Sequence, residues 1–300
     1  MTIRPRLRSD DRVALISPAG PLKSAEDLDR AIARVEALGL RAVPSDHALA
    51  RHGFLAGTDA QRAADLNAAL RDPSIRGIFA LRGGYGTMRF LDAIDYAALR
   101  ADPKVLLGYS DLTAPLNACT ARSGVVTYHG PVPALSSFGP DETAWLRAVA
   151  MEGGDVALVA PEGRALRPGR ARGRLAGGNL SLVAALAGTP YAIDFAGAIA
   201  FFEEVEEAPY RIDRMFTQLR ASGALRDCAG VILGTFDACD PAEESDPLRR
   251  LAHVLEDRLG DLGVPVLAGA PFGHAGEQWT LPIGATAELD TATRTLRIDG

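Results

Sequence analysis

The sequence predicts an α/β protein built around a mainly parallel, doubly wound sheet. Short apolar runs alternate with helical patterns through the first half of the chain, and several of these runs end in glycine-rich turns. Strands that alternate with helices favour parallel pairing, with helices covering both faces of the sheet. Ligands of such sheets bind at the carboxyl ends of the strands, so the glycine-rich ends are expected at one edge.

Four apolar runs are the predicted strands of this sheet. Each is short, bounded by turn residues and compatible with burial on both faces. They cover residues 12–18, 75–81, 105–107 and 125–128, and the last three are followed by Arg82 to Gly86, Gly108 to Asp111 and His129 to Pro131.

Two helices are predicted between the first two strands. Ser24 precedes a segment with apolar residues at helical spacing, which Gly39 ends. Thr58 and Gln61 have the spacing of a capping box, which predicts a second helix from there to about Leu70.

The length of 300 residues allows two domains. The segment 152–172 is rich in Gly, Pro, Arg and Ala and has no helical period, so we predict a linker there between domains at 1–151 and 173–300. The second domain is predicted to contain apolar strands at 198–202 and 231–233. An amphipathic helix through Ile212 and Leu219 is predicted between them, and antiparallel strands within 278–299.

Composition argues against several classes of function. The formal net charge of −6 disfavours nucleic acid or an anionic membrane as the partner. No apolar stretch approaches the roughly 18 residues of a membrane span, and the N-terminus lacks the apolar block of a signal peptide, so a cytoplasmic protein is expected. The three cysteines are widely spaced and no His-Glu-x-x-His pattern occurs, so we expect reduced thiols, no metal and no cofactor.

Two strand ends of the first half carry candidate chemistry. Ser110 follows a strand and precedes a predicted helix, a position that exposes a nucleophile, although a serine or aspartate at such a position more commonly just caps the helix. Gly83 and Gly84 let backbone N–H groups approach a phosphate or an oxyanion, or they form a tight turn.

The second half offers a base and a carboxylate. His274 follows an apolar segment, and His129, at the end of a predicted strand, competes with it. Glu203 ends an apolar strand without a break, where a carboxylate can orient and stabilise an imidazolium. The acidic run that continues after it, including Glu204, is more typical of a solvated face.

Taken together, these segments resemble the LD-carboxypeptidase family, the serine peptidases of murein recycling that also include the microcin-immunity peptidases. The resemblance covers nearly the whole chain. The family fold is a Rossmann-like N-terminal domain and a smaller, β-rich α/β C-terminal domain, with the site between them. The motifs that carry it are Ser17 to Gly20, Arg82 to Gly86, Gly108 to Asp111, Gly130-Pro131, Gly177 to Leu180, Phe202 to Glu204, Pro209 to Arg211, Phe272 to His274 and Leu281 to Gly284.

The resemblance implies a catalytic triad of Ser110 as nucleophile, His274 as base and Glu203 as the carboxylate that orients it. The family commonly has Glu-Asp where this chain has Glu203-Glu204. The implied activity is release of a C-terminal D-alanine from murein tetrapeptides by a homodimer.

Further residues are candidates for supporting roles. The backbone N–H groups of Gly84 and Asp111 are candidates for the oxyanion hole. Arg82, Tyr85 and Arg211 are candidates for holding the peptide or its carboxylates.

Two other functions stay open at this point. One is an immunity peptidase that acts on a peptide-nucleotide antibiotic. The members of that branch tend to be longer and richer in aromatic residues. The other is a non-catalytic protein whose glycine loops hold a phosphate or a sugar.

Overall fold

The computed structural model describes residues 2–135, 138–240 and 244–300. The chain forms two compact units. The first comprises Met1–Gly153 and Trp279–Gly284, and the second comprises Gly154–Gln278 and Ala285–Gly300.

The first unit contains a six-stranded sheet in the order β12-β5-β4-β3-β1-β2. Its first five strands in chain order pair in parallel, and β12 is antiparallel to β5. Apolar runs form its centre because both faces are buried. The strands are β1 (Arg12–Ile16), β2 (Arg41–Pro44), β3 (Ile75–Ala80), β4 (Val105–Gly108), β5 (Thr127–His129) and β12 (Leu281–Ile283).

Two helices of the first unit begin at the residues that the sequence predicted. The Thr58 hydroxyl accepts from the Gln61 N–H at 3.2 Å while the Gln61 side chain accepts from the Thr58 N–H at 2.9 Å, which confirms the capping box. Ser24 precedes its helix in an extended conformation but its side chain makes no capping hydrogen bond. The helices are α1 (Ala25–Ala37), α2 (Asp59–Arg71), α3 (Tyr96–Ala101), α4 (Thr113–Ser123) and α5 (Pro140–Arg147).

The second unit contains an eight-stranded sheet in the order β6-β14-β13-β8-β9-β10-β11-β7. The four strands from β8 to β11 pair in parallel, and the remaining pairs are antiparallel. The strands are β6 (Val156–Val159), β7 (Arg164–Arg167), β8 (Arg170–Asn179), β9 (Ala198–Val205), β10 (Gly230–Asp237), β11 (Val266–Ala268), β13 (Thr286–Asp290) and β14 (Thr295–Ile298).

A core of aromatic side chains supports the second sheet. The ring of Phe202 lies 5.7 Å from that of Phe195 and 5.5 Å from that of Phe216, and all three are buried. These rings fix the end of β9 firmly, which matters for the carboxylate that follows Phe202. The helices of this unit are α6 (Leu180–Leu186), α7 (Pro209–Ala221) and α8 (Leu251–Leu259).

The structure confirms the mixed α/β fold with a parallel sheet, but it differs from the prediction in detail. The segment 152–172, expected to be a linker, contains β6, β7 and the start of β8. Side chains along β6 alternate between buried and exposed, with Val156 and Leu158 buried. The alternation of apolar residues that is typical of a strand was therefore present between the Gly and Pro residues. The predicted domain limits at 151 and 173 stay a prediction. Among the described residues, no helix is both long enough and apolar enough to cross a membrane.

Candidate active site

Ser110 occupies a strained turn between β4 and α4. Its φ is +60°, a left-handed conformation that is uncommon for a residue with a side chain. The turn is tight: the Leu112 N–H donates to the Tyr109 carbonyl at 3.1 Å, and a Cβ at Gly108 would lie 2.7 Å from Leu112 Cγ. Strain of this kind costs on the order of 1–3 kcal/mol and is typical of functional positions.

A glycine-rich loop after β3 packs directly against this turn. A Cβ at Gly83 would lie 2.8 Å from Ser110 Cβ and 3.1 Å from Ser110 Oγ, so glycine is needed for the approach. Gly84 has a φ of +125°, and the Gly20 N–H donates to the Gly83 carbonyl at 3.0 Å. Within the described residues, the Gly84 N–H donates to no acceptor, which leaves it available to a ligand.

Asp111 fastens the serine turn to the glycine loop. Its Oδ2 accepts from the Thr87 N–H at 2.8 Å, and its backbone carbonyl accepts from the Thr87 hydroxyl at 2.6 Å. The side chain is buried, and this burial raises the pKa of Asp111. The carboxylate therefore accepts a hydrogen bond from the first residue of the 3₁₀ helix Thr87–Ala93 and does not cap the helix that follows Ser110.

A buried arginine that sequence reasoning missed lies behind the same loop. Arg62 is 1% exposed, donates to the Pro18 carbonyl at 2.6 Å and lies 4.9 Å from the centre of the Phe90 ring. It also pairs with Asp59 at 2.5 Å. A Cβ at Gly86 would lie 3.1 Å from Arg62 Nη1, so this guanidinium supports the loop at close range. The only sequence signal was the i, i+3 spacing of Asp59 and Arg62.

The second unit brings Glu203 and His274 together. His274 Nδ1 lies 2.7 Å from Glu203 Oε2, and the carboxylate is fully buried at the end of β9. Gly273 permits the contact: it has a φ of +129°, and a Cβ there would lie 2.3 Å from Thr235 Oγ1 and 3.0 Å from Glu203 Cβ. The Thr235 N–H holds the preceding carbonyl, that of Phe272, at 2.8 Å.

Two opposing effects act on the His274 imidazole. Burial lowers its pKa, while the hydrogen bond and charge of Glu203, with the charges of Glu204 and Asp237, raise it. The carboxylates outweigh burial, so the pKa of His274 lies above its ordinary value of 6.5. The contact at Nδ1 fixes the orientation of the imidazole ring.

Glu204 has a different set of partners. Successive side chains of a strand point to opposite faces, and Glu204 accepts from Asn179 Nδ2 at 2.8 Å and from the N–H and hydroxyl of Ser181 at 2.8 and 2.7 Å. The Val205 N–H completes the set at 2.9 Å. Desolvation of this buried carboxylate raises its pKa. Its contacts tie β9 to the start of α6.

The remaining sequence candidates make contacts of their own. Arg82 donates to the Pro21 carbonyl at 2.8 Å, and the exposed Tyr85 packs edge-on against Phe54 with ring centres 5.4 Å apart. Arg211 lies on α7 and pairs with Glu207 at 3.2 Å. His129, the competing histidine, is fully buried at the end of β5.

The described part of the chain contains no group of three or more His, Cys, Asp or Glu side chains placed to hold a metal ion. The three cysteines are buried thiols, and burial raises the pKa of Cys119 to about 12.

Comparison with known proteins gives consistent matches over the whole chain. The family model for the LD-carboxypeptidase N-terminal domain matches residues 13–130, and that for the LD-carboxypeptidase C-terminal domain matches residues 172–289. A putative carboxypeptidase of Streptomyces coelicolor is 44% identical over 99% of this chain and 96% of its own. The murein tetrapeptide carboxypeptidase of Pseudomonas aeruginosa is 33% identical over 94% of both chains. The crystal structure of an MccF-like protein of Bacillus anthracis superposes with a TM-score of 0.89 at 26% identity over 99% of both chains.

Proposed function

Since this chain belongs to the LD-carboxypeptidase family, we propose that it is a serine peptidase that releases the C-terminal D-alanine of murein tetrapeptides in peptidoglycan recycling. The name of the P. aeruginosa relative, at 33% identity, supports this substrate class. The observation that carries the mechanism is the 2.7 Å contact between Glu203 and the imidazole of His274. The strained position of Ser110 against Gly83 supports Ser110 as the nucleophile.

In the proposed reaction, His274 Nε2 takes the proton of the Ser110 hydroxyl as Oγ attacks the scissile carbonyl. The imidazolium then gives this proton to the departing amine of D-alanine, and an acyl-enzyme ester remains. Water, deprotonated by the same imidazole, hydrolyses the ester and restores the Ser110 hydroxyl. Glu203 fixes the orientation of the ring and stabilises its charged form.

The oxyanion is proposed to bind the N–H groups of Gly84 and Asp111. An oxyanion hole needs an N–H group that makes no other hydrogen bond, and the Gly84 N–H is such a group. The Asp111 side chain accepts from the Thr87 N–H and so anchors the loop that contains Gly84. One such donor is typically worth about 2.7–4 kcal/mol of barrier.

The finer assignments are proposals of the same kind. Glu203 is preferred over Glu204 because Glu204 is occupied by four donors around the start of α6. Arg82, Tyr85 and Arg211 are proposed to hold the peptide. A cytoplasmic homodimer is proposed on the family resemblance.

The test is hydrolysis of two tetrapeptides that differ only in the configuration of the terminal alanine, with the products identified by mass spectrometry. We expect release of D-alanine from one peptide and little release of L-alanine from the other. When the scissile carbonyl and the direction of attack are fixed, only one side remains for the methyl group of the terminal alanine. An L-alanine would displace the reacting atoms, and a displacement near 1 Å can lower the rate about 100-fold. Equal kcat/KM values for the two peptides would contradict the proposal, and so would full activity of Ser110→Ala.

The similarity to the MccF-like structure favours one second candidate, a peptidase of the microcin-immunity type. An aminoacyl-nucleotide distinguishes the two. Turnover of this compound with no turnover of the murein tetrapeptide would replace the first proposal by the second.

A further inference from the structure

A basic cavity of about 420 Å³ opens on the first unit beside the glycine-rich loop. Four cationic side chains and one carboxylate line it: Lys23, Arg30, Arg34, Arg82 and Asp27. The remaining lining residues are Leu22, Ala134 and Leu135. The cavity has a local excess of positive charge in a protein whose formal net charge is −6.

The charges in this basic cavity are only partly compensated. Asp27 forms an ion pair with Arg30 across one turn of α1. Burial lowers the pKa of Arg34, and the charge of Arg30 lowers it further, so the two guanidinium groups are close enough to repel each other. A concave site with an excess of one charge concentrates ligands of the opposite charge.

The deeper arginines are held in place by backbone carbonyls. Arg34 donates to the carbonyls of Pro133, at 2.8 Å, and Leu135. Arg82 donates to the carbonyl of Pro21 at 2.8 Å. A guanidinium has five N–H donors, so each of these side chains keeps donors for a ligand after it has been fixed.

The basic cavity adjoins the proposed reaction centre through Arg82. This residue directly precedes Gly83, which packs on Ser110, and lies two positions before the free N–H of Gly84. A peptide whose carbonyl binds the Gly84 N–H is therefore held by the same loop that forms one wall of the cavity.

We propose that the basic cavity is a subsite that binds a carboxylate of the peptide substrate and thereby selects acidic peptides. This inference rests on the proposed peptidase function. Arg34 and Arg82 form the fixed base of the subsite, and the exposed Lys23 and Arg30 close it at the rim. Arginine suits this role because its planar donors match a carboxylate in bidentate geometry.

The test measures peptide affinity by calorimetry in a Ser110→Ala background, so that turnover does not interfere. The ligands are the murein tetrapeptide and versions of it in which each carboxylate in turn is replaced by its carboxamide. The variant is Lys23→Gln with Arg30→Gln, since these exposed residues take no part in the hydrogen bonds that hold Arg34 and Arg82. The control is Arg41→Gln, which removes another exposed arginine of the first unit, paired with Asp10 at 3.1 Å.

We expect the double variant to bind the unmodified peptide about five- to tenfold more weakly, the scale of two partly exposed charge contacts. One carboxamide peptide should bind both proteins equally, which identifies the carboxylate, and Arg41→Gln should bind like the parent. Equal affinities of parent and double variant for every peptide would overturn the inference. An identical loss with all the carboxamide peptides, or with Arg41→Gln, would also overturn it, because the effect would then be one of overall charge.

The binding of inorganic phosphate is measured as a final comparison. Phosphate that binds the parent in a manner dependent on Lys23 and Arg30, without competing with the peptide, would mark the cavity as a phosphate site and overturn the inference. Failure of the proposed function is a separate result, since it requires that the enzyme with Ser110 intact leaves the tetrapeptide uncut.

Discussion

Adding a single methyl group at Gly83 is expected to slow turnover about a hundredfold while the first unit stays folded. The new Cβ would lie 2.8 Å from Ser110 Cβ, whereas carbon atoms in contact normally lie about 3.5–4.0 Å apart. Gly83 does not have a positive φ, so alanine meets no backbone strain and the conflict is one of contact alone. Relieving it requires a shift of about 1 Å between the loop and Ser110, and a misplacement of this size can cost about 100-fold in rate.

The assay is kcat and kcat/KM for release of D-alanine, measured together with the free energy of unfolding. Overpacking is expected to cost about 1–3 kcal/mol of stability. Gly124→Ala is the matched control: Gly124 has a φ of +75° and nothing lies within 4 Å of its added Cβ. That variant should lose about 1–2 kcal/mol of stability through backbone strain and keep its kcat.

Near-normal kcat in Gly83→Ala would refute the reasoning, because Ser110 would then not depend on the loop for its position. A similar loss of kcat in Gly124→Ala would also refute it, since lower stability alone would explain both variants.

Four further predictions concern the mechanism and the other groups of the site. Glu203→Gln should lower kcat by about 10³–10⁴-fold. The kcat/KM of the unmodified enzyme should rise with pH through a midpoint above 6.5, because His274 must be neutral to accept a proton and its pKa is raised. In Glu203→Gln this midpoint should move to lower pH, because Glu203 contributes most to raising the pKa. A smaller shift of the midpoint is expected for Glu204→Gln. Asp111→Ala should lose about 1–3 kcal/mol of stability because the Thr87 N–H is left buried without a partner, while Asp111→Asn should keep most of it; equal losses in thermal unfolding would contradict this. Incubation with EDTA should leave the rate unchanged, and a loss that zinc reverses would refute a metal-free mechanism.

Sequence patterns predicted the parts of this protein that depend on local chemistry. The capping box at Thr58 and the strands that precede Gly83 and Ser110 follow from residue types and short-range spacing. The approach of Gly83 to Ser110 follows less directly, because it requires that neighbouring parallel strands end at one edge.

Features that depend on distant partners were not predictable in the same way. Arg62 lies in a helical segment, where an arginine is normally exposed. Its burial depends on hydrogen bonds to the Pro18 carbonyl and Asp59 and on the Phe90 ring. Glu203 and Glu204 have different roles because they contact different residues on the two faces of β9. No short-range sequence pattern specifies which residues lie on each face.

The strand β12 has a consequence for how the protein reaches its folded state. It completes the first sheet by pairing with β5, yet it is synthesised only after nearly all of the second unit. A nascent chain that has emerged as far as residue 153 therefore carries β5 as an unpaired strand edge, the kind of surface that pairs wrongly with other chains. Because translation runs at about 5–20 residues per second, this edge stays open for several seconds on each ribosome. The last step of folding in the first unit must wait for the end of translation, whatever the intrinsic speed of its own helices and strands.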